Sequence, residues 1–262
     1  MAKIAIKRGE DEHQTTYECL KLLNPELDGT VLIKPNFFKP TDYPVGAISR
    51  LDTICATVDY VHEVGCEAWV GEGGLSSAIT DLAFKNSGLS DYCEREDVKL
   101  FNFFKEPTAE VEGNDFKVKV AKPAVDADHI ISLCKLKVHT IHGVSLSGKN
   151  LMGCVVGQRR VYFHSSKGLA NLISLLISKF KIIGLIDGIV GMGYCEGAGI
   201  PTESGMVLAG DDLPTLDAYA SRIMGFDLDE IPIFKHLTPK EFELLGDAPV
   251  EQSFIKPIGW GS

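Results

Sequence analysis

The sequence predicts an α/β fold: a mostly parallel sheet built from βαβ units, arranged as two lobes with a cleft. Strand and helix signals alternate along the N-terminal third, at a spacing that suits crossover connections. Apolar strand-like runs also end repeatedly in polar or glycine-rich punctuation, where open α/β sheets place ligands. Composition agrees, with 45% hydrophobic and 24% charged residues in a chain of 262. That length suits one large domain, read here as residues 1–262, with lobes 1–125 and 126–262 and a soft boundary.

The elements follow in order. KIAIKRG from Lys3 is a short strand, and the stretch from Glu10 into TTYECLKLL is a helix. TVLIKPNFF is an apolar strand stopped by Pro35, and LDTICATVDYVHEVG is a helix closing on Gly65. EAWVGEGG is a strand ending in glycines, and SAITDLAFKNSG is a helix with a glycine stop at Gly88. KLFNFF and FKVKVAKP read as strands around the polar loop EGND, which suggests a hairpin. HIISLCKLK is a buried strand followed by a loop-rich stretch to about Ser166. KGLANLISLLISKF is a helix and KIIGLIDGIV a core strand. A glycine-dense loop then leads to the strand MVLAGDD and the helix LPTLDAYASRIMG. Thr238-Pro239-Lys240-Glu241 has the spacing of a helix-opening capping box.

Net charge restricts the function classes. With 26 Lys and Arg against 36 Asp and Glu, the chain carries −10, a poor match for nucleic acid or anionic membrane. No run of roughly 18 apolar residues predicts a transmembrane helix, and the N-terminus lacks the pattern of a signal peptide. Seven scattered cysteines without a CxxC pair read as reduced, buried thiols. The expectation is a cytoplasmic protein.

Residues 129–186 contain no Asp or Glu, yet carry Lys135, Lys137, Lys149, Arg159, Arg160, Lys167, Lys179 and Lys181. Removing these eight positive charges from −10 leaves −18 on the rest. A positive segment inside a negative protein suits a pocket for a small anion. The competing reading is that these lysines merely line solvent-facing helix sides, as in LISLLISKFK.

Within the segment, KLKVHTIHGVSLSGKNLMG follows an apolar strand and concentrates donors and proton carriers: Lys137, His139, His142, Lys149 and Asn150. Neighbouring positive charge disfavours the charged forms of histidine and lysine, which makes His139 a candidate base and Lys149 a candidate nucleophilic amine. His142 is a further catalytic candidate, and His164 a further ligand-binding one. Lys34-Pro35-Asn36 and Gly71-Glu72-Gly73-Gly74 punctuate two other strand ends, adding Lys34, Asn36 and Glu72 as ligand-binding candidates, with Asp187 as an opposing acid. The glycines lack the full dinucleotide spacing because Ser76 occupies the last position. A bare metal site is disfavoured because clustered lysines repel a dication.

The pieces VLIKPNFF, EVGCEAWVGEGG, ISLCKLKVHTIHGVSLSGKNLMG, LIDGIVGMGYCEGAGIPTESG and VLAGDDLPTLDAYASRIMGFD resemble, in order, the domain-of-unknown-function family 362. Members often carry an added iron–sulfur module, whose cysteines this chain lacks. A looser resemblance is to the lactate racemase superfamily, which uses a tethered nickel-pincer nucleotide. It implies an acid/base role for His139, a cofactor tether at Lys149 and a nickel ligand at His164. The expectation is therefore an enzyme that holds a small carboxylate- or phosphate-bearing substrate or cofactor and uses histidine acid/base chemistry. The alternatives are a non-catalytic carrier or sensor of an anionic metabolite, and a nickel-nucleotide-dependent, racemase-like enzyme. The sequence leaves the cofactor and oligomeric state unknown.

Overall fold

A computed structural model describes residues 1–113, 116–157, 163, 165–252 and 254–260. Its order begins β1 (Ala2–Arg8), α1 (Glu12–Leu23), β2 (Thr30–Lys34), α2 (Leu51–Glu63), β3 (Glu67–Glu72) and α3 (Ser77–Asn86). It continues with α4 (Leu89–Arg95), β4 (Lys99–Asn102), β5 (Thr108–Glu112), β6 (Lys117–Ala121), α5 (Lys122–Asp126) and β7 (His129–His139). Next come β8 (Gly143–Ser145), α6 (Ser147–Asn150), a 3-10 turn (Leu151–Cys154), α7 (Ser166–Lys179) and β9 (Lys181–Gly193). The chain closes with β10 (Ile200–Glu203), β11 (Met206–Gly210), α8 (Leu213–Ile223) and β12 (Phe242–Gly246).

One ten-stranded sheet runs β12-β1-β11-β9-β7-β2-β3-β4, with β10 added to β9 and β8 to β7. Along that path only β11 opposes its neighbours; the other pairs are parallel. Strands from both sides of position 125 therefore interleave, with β7 seated between β2 and β9.

Successive strand side chains point to opposite faces, and the cores obey this alternation. Val31 and Ile33 of β2 pack with Leu20 of α1, Ile54 and Val58 of α2 and Phe84 of α3. Leu32, on the other side, joins Leu172 and Leu176 of α7. Ile4 and Ile6 of β1 meet Ile173 of α7 and Leu216 and Ala220 of α8. Both faces are covered, so β7 is buried at every position, as a doubly covered parallel strand should be. Helix starts are capped by local side chains: Asp11 accepts from the Gln14 amide, Ser76 from Ile79 and Ser165 from Gly168.

Two local expectations fail, and two others are refined. The strand partnering FKVKVAKP is β5, whereas KLFNFF supplies β4 on the far sheet edge. Gly88 does stop α3, but it also opens α4 from a left-handed conformation (φ 78°). The capping-box spacing at Thr238 opens no helix. The Glu241 carbonyl accepts from the Ala2 amide, and residues 242–246 pair in parallel with β1. Ladder bonds on an open sheet edge outweigh a local capping preference. The glycine-dense loop is also shorter than its composition suggests, because β9 extends to Gly193 and pairs with β10.

Candidate functional site

Parallel strands β2, β3 and β7 end on the same edge, which brings Lys34, Glu72 and Lys137 together from three separate stretches of sequence. Lys34 Nζ lies 2.8 and 2.9 Å from the two Glu72 carboxylate oxygens, and both side chains are almost wholly buried. It also donates to Asn150 Oδ1 at 3.0 Å and to the Pro35 carbonyl at 2.9 Å. Glu72 accepts in turn from the amides of Phe37 (2.9 Å) and Gly73 (2.7 Å). Gly153 packs directly on the pair, where a Cβ would fall 2.5 Å from Lys34 Cε.

Two asparagines extend the network. Lys137 Nζ donates to Asn36 Oδ1 at 2.5 Å and to the Ala47 carbonyl at 2.8 Å, and lies 4.2 Å from the Phe38 ring centroid. The Asn36 amide donates to Asn150 Oδ1 at 3.1 Å. Asn150 donates back to the carbonyls of Lys34 and Leu133 and to the Ser132 hydroxyl. Both amides are thereby fixed in orientation by charged or backbone partners.

Above this floor opens a cleft of about 140 Å³, lined in part by Lys34, Asn36, Glu72, Gly73, Lys149 and Asn150. Lys149 sits on the short helix α6, whose first turn is clamped by Asp217 of α8. The Asp217 carboxylate accepts from the Ser147 amide (3.0 Å) and hydroxyl (2.5 Å) and from the Gly148 amide (2.8 Å). Burial outweighs those bonds and pushes Asp217 up to about 6. Among the described residues, Lys149 makes no hydrogen bond or ion pair. Burial pushes its ammonium down to about 8, opposed by the charge of Glu196 and assisted by that of Lys34. Burial, then the charge of Lys149, takes Lys137 to about 7.

His139 and His142 lie at the end of β7 and just beyond it, both buried, with ring centroids 5.0 Å apart. Nδ1 of His139 accepts from the Ile141 (3.1 Å) and His142 (3.3 Å) amides, which places the ring proton on Nε2. That nitrogen stands 3.5 Å from Glu196 Oε1. Burial raises Glu196, but hydrogen bonds from Thr140 and the charge of Lys149 outweigh it and hold the carboxyl below its ordinary value.

The cleft thus gathers Lys34, Asn36, Glu72, Lys149 and Asn150. Lys137 braces Asn36 from beneath, whereas His139 and His142 are not among the residues lining the cleft; Glu196, 3.5 Å from His139, bears on the cleft through its charge on Lys149. Asp187 does not reach it. This carboxylate is fully buried on Lys135 at 2.7 Å and accepts from the Ile189 amide, so its place is the core. His164 lies outside the described residues. Sequence reasoning missed Glu196, Asp217 and Gly153. Asp217 had a legible signal, a carboxylate one residue after Leu216 on the buried face of α8. Glu196 stood inside the stretch read as a glycine-dense loop, and nothing local marked Gly153.

The sequence pattern of the family described as "Domain of unknown function (DUF362)" matches residues 31–222, most of the chain. The chain belongs to the DUF362 family. This DUF362 protein is 28% identical over 237 residues to the thylakoid-associated protein sll1697 of Synechocystis sp., covering 87% of this chain and 71% of that one. Among solved structures it is similar to the lactate racemase apoprotein from Thermoanaerobacterium thermosaccharolyticum, with a TM-score of 0.48 and 12% identity. That match covers 85% of this chain and 56% of the racemase, so the DUF362 chain spans little more than half of that protein. Lys149 lines the cleft as an amine without a hydrogen-bond or ion-pair partner among the described residues. The same residues offer no group of three or more His, Cys, Asp or Glu that could hold a metal ion. No helix among them is long and apolar enough to cross a membrane.

Proposed function

We propose that this DUF362 protein is a cytoplasmic enzyme that binds a small carboxylate- or phosphate-bearing molecule in the cleft over Lys34 and Glu72. The observation that carries this reading is Lys149. Its neighbours Lys34 and Lys137 spend their donors on protein acceptors, whereas Lys149 lines the cleft with none among the described residues. A partly buried ammonium in that position gains most from an incoming anion, because charge-assisted hydrogen bonds strengthen as water is excluded. Asn36 and Asn150, locked from below, orient the guest. His139 moves a proton: its Nε2–H faces Glu196, and a histidine–carboxylate pair can accept and return a proton near neutral pH. Reduced cysteines without a disulfide suit the cytoplasm.

Titration of the melting temperature with inorganic phosphate, and separately with pyruvate, tests the reading. The wild type should be stabilised in a saturable way by at least one of them. Lys149→Ala should weaken that apparent affinity about tenfold or more, while Lys235→Ala, at a remote exposed position, should not. Equal stabilisation of the wild type and Lys149→Ala would overturn it.

A further inference from the structure

We propose that the Lys149 amine is a carbonyl-condensing nucleophile, so that the guest of this cleft is an anionic aldehyde or ketone captured as an imine. This rests on the anion-cleft reading above and adds the substrate's reactive group.

The three lysines at this sheet edge divide by what their nitrogens touch. Lys34 Nζ is fully engaged, with both Glu72 oxygens, Asn150 Oδ1 and the Pro35 carbonyl within 3.0 Å. Lys137 Nζ donates to Asn36 and Ala47. Neither can approach a carbonyl carbon without dismantling the floor of the site. Lys149 carries no such bond among the described residues, so its lone pair becomes available once a proton leaves.

Its surroundings favour that loss. Phe38, Leu75 and Met152 line the same cleft and exclude water from the ammonium, and Lys34 adds positive charge from below. Glu196 is the carboxylate that opposes them, while Glu72 in the cleft wall is already neutralised by Lys34. Desolvation beside a second cation is how a lysine becomes a nucleophile near neutral pH. With its ammonium near 8, Lys149 has a free-amine fraction at pH 7.5 on the order of a hundredfold above that of an ordinary exposed lysine.

The step balances without a redox partner. The free amine adds to the carbonyl carbon to give a carbinolamine. The former carbonyl oxygen then departs as water, carrying both amine hydrogens, and a C=N bond remains. Glu196, the carboxylate whose charge acts on Lys149 and which stands 3.5 Å from His139 Nε2, serves in this proposal as the proton relay. Protonation of the imine restores the positive charge that holds the guest's anionic group.

Trapping with pyruvate and sodium borohydride at pH 7.5 tests the inference. Borohydride supplies the hydride that converts the imine into a stable secondary amine, and peptide mass mapping locates it. Lys149 should be labelled about tenfold more than exposed lysines such as Lys3 and Lys235, and excess inorganic phosphate should suppress that label selectively. Lys149→Arg retains the cation, so it should keep the thermal stabilisation by pyruvate while losing the label. A wild type stabilised by pyruvate but labelled no more at Lys149 than elsewhere would overturn the inference and leave the anion cleft standing. Absence of both label and stabilisation by either anion would overturn both.

Discussion

Lys34–Glu72 and Lys135–Asp187 are both ion pairs of nearly complete burial, and each joins two strands of the same sheet. They differ in how fully their charges are solvated by the protein. Lys34 has four oxygen acceptors and Glu72 two backbone donors besides its lysine. Among the described residues Lys135 donates to Asp187 alone. Asp187 adds the Ile189 amide at 3.1 Å and a long contact from the Thr53 hydroxyl at 3.4 Å. The richly bonded pair lies under the cleft at the strand ends, and the sparsely bonded one is sealed inside. Burying an ion pair seldom adds net stability, whereas removing one partner leaves a costly orphan. The Lys135 pair is therefore an internal cross-link of β7 to β9. The Lys34 pair is a rigid floor whose spare bonds hold Asn150 and, through it, Asn36.

The largest effect should separate the two pairs directly. Lys135→Met strands Asp187 with one good donor and should cost about 3–5 kcal/mol in urea denaturation. Lys34→Met leaves Glu72 its two backbone donors and should cost less, about 2 kcal/mol. Lys135→Met combined with Asp187→Leu should recover most of the first loss, because no buried charge remains. Equal losses in the two single variants would remove the distinction.

How much of this contrast was readable beforehand depends on sequence distance. The strand ends at Lys34, Glu72 and Lys137 were legible because an apolar run stopping at a polar or glycine-rich turn is a local signal. The acid-free stretch likewise pointed to Lys149 and Asn150. Pairing was not legible. The carboxylates that neutralise Lys34 and Lys135 lie 38 and 52 residues away, and only the parallel register of the sheet brings them into contact. Asp187 was accordingly read as a ligand group, although its strand is a core strand. The open edge of β1 likewise decided the fate of Thr238, because no local feature announces that a distant segment will pair there.

A smaller effect probes the packing of the floor. An added Cβ at Gly153 would collide with Glu72 Oε1 and lie 2.5 and 2.6 Å from Lys34 Cε and Nζ. Those atoms cannot swing aside freely, since Glu72 Oε1 and Lys34 Nζ are held by further hydrogen bonds and Cε is tethered to Nζ. Gly153→Ala should cost about 1–3 kcal/mol by chemical denaturation, as overpacking does in a dense interior. A loss below about 0.5 kcal/mol would mean that the pair yields easily and is no rigid floor.

The smallest effect should have the opposite sign and falls on the lysine that belongs to neither pair. Lys149 leaves no orphaned carboxylate when removed, because it neutralises none by direct contact. Its ammonium is depressed to about 8 from an unfolded value near 10.5, so the folded state binds the proton less tightly than the unfolded chain. That difference destabilises the fold below pH 8 and fades as the pH rises through 8 towards 10.5, where both states lose the proton. Lys149→Met should therefore be about 1 kcal/mol more stable than the wild type at pH 7, a figure discounted for the solvent that still reaches the side chain. The advantage should shrink above pH 8 and vanish only above about pH 10.5. A residue that weakens the apo fold while lining a cleft is kept for what it binds, and a clear destabilisation of Lys149→Met at pH 7 would instead place Lys149 with Lys34 and Lys135 among the lysines that hold the sheet together.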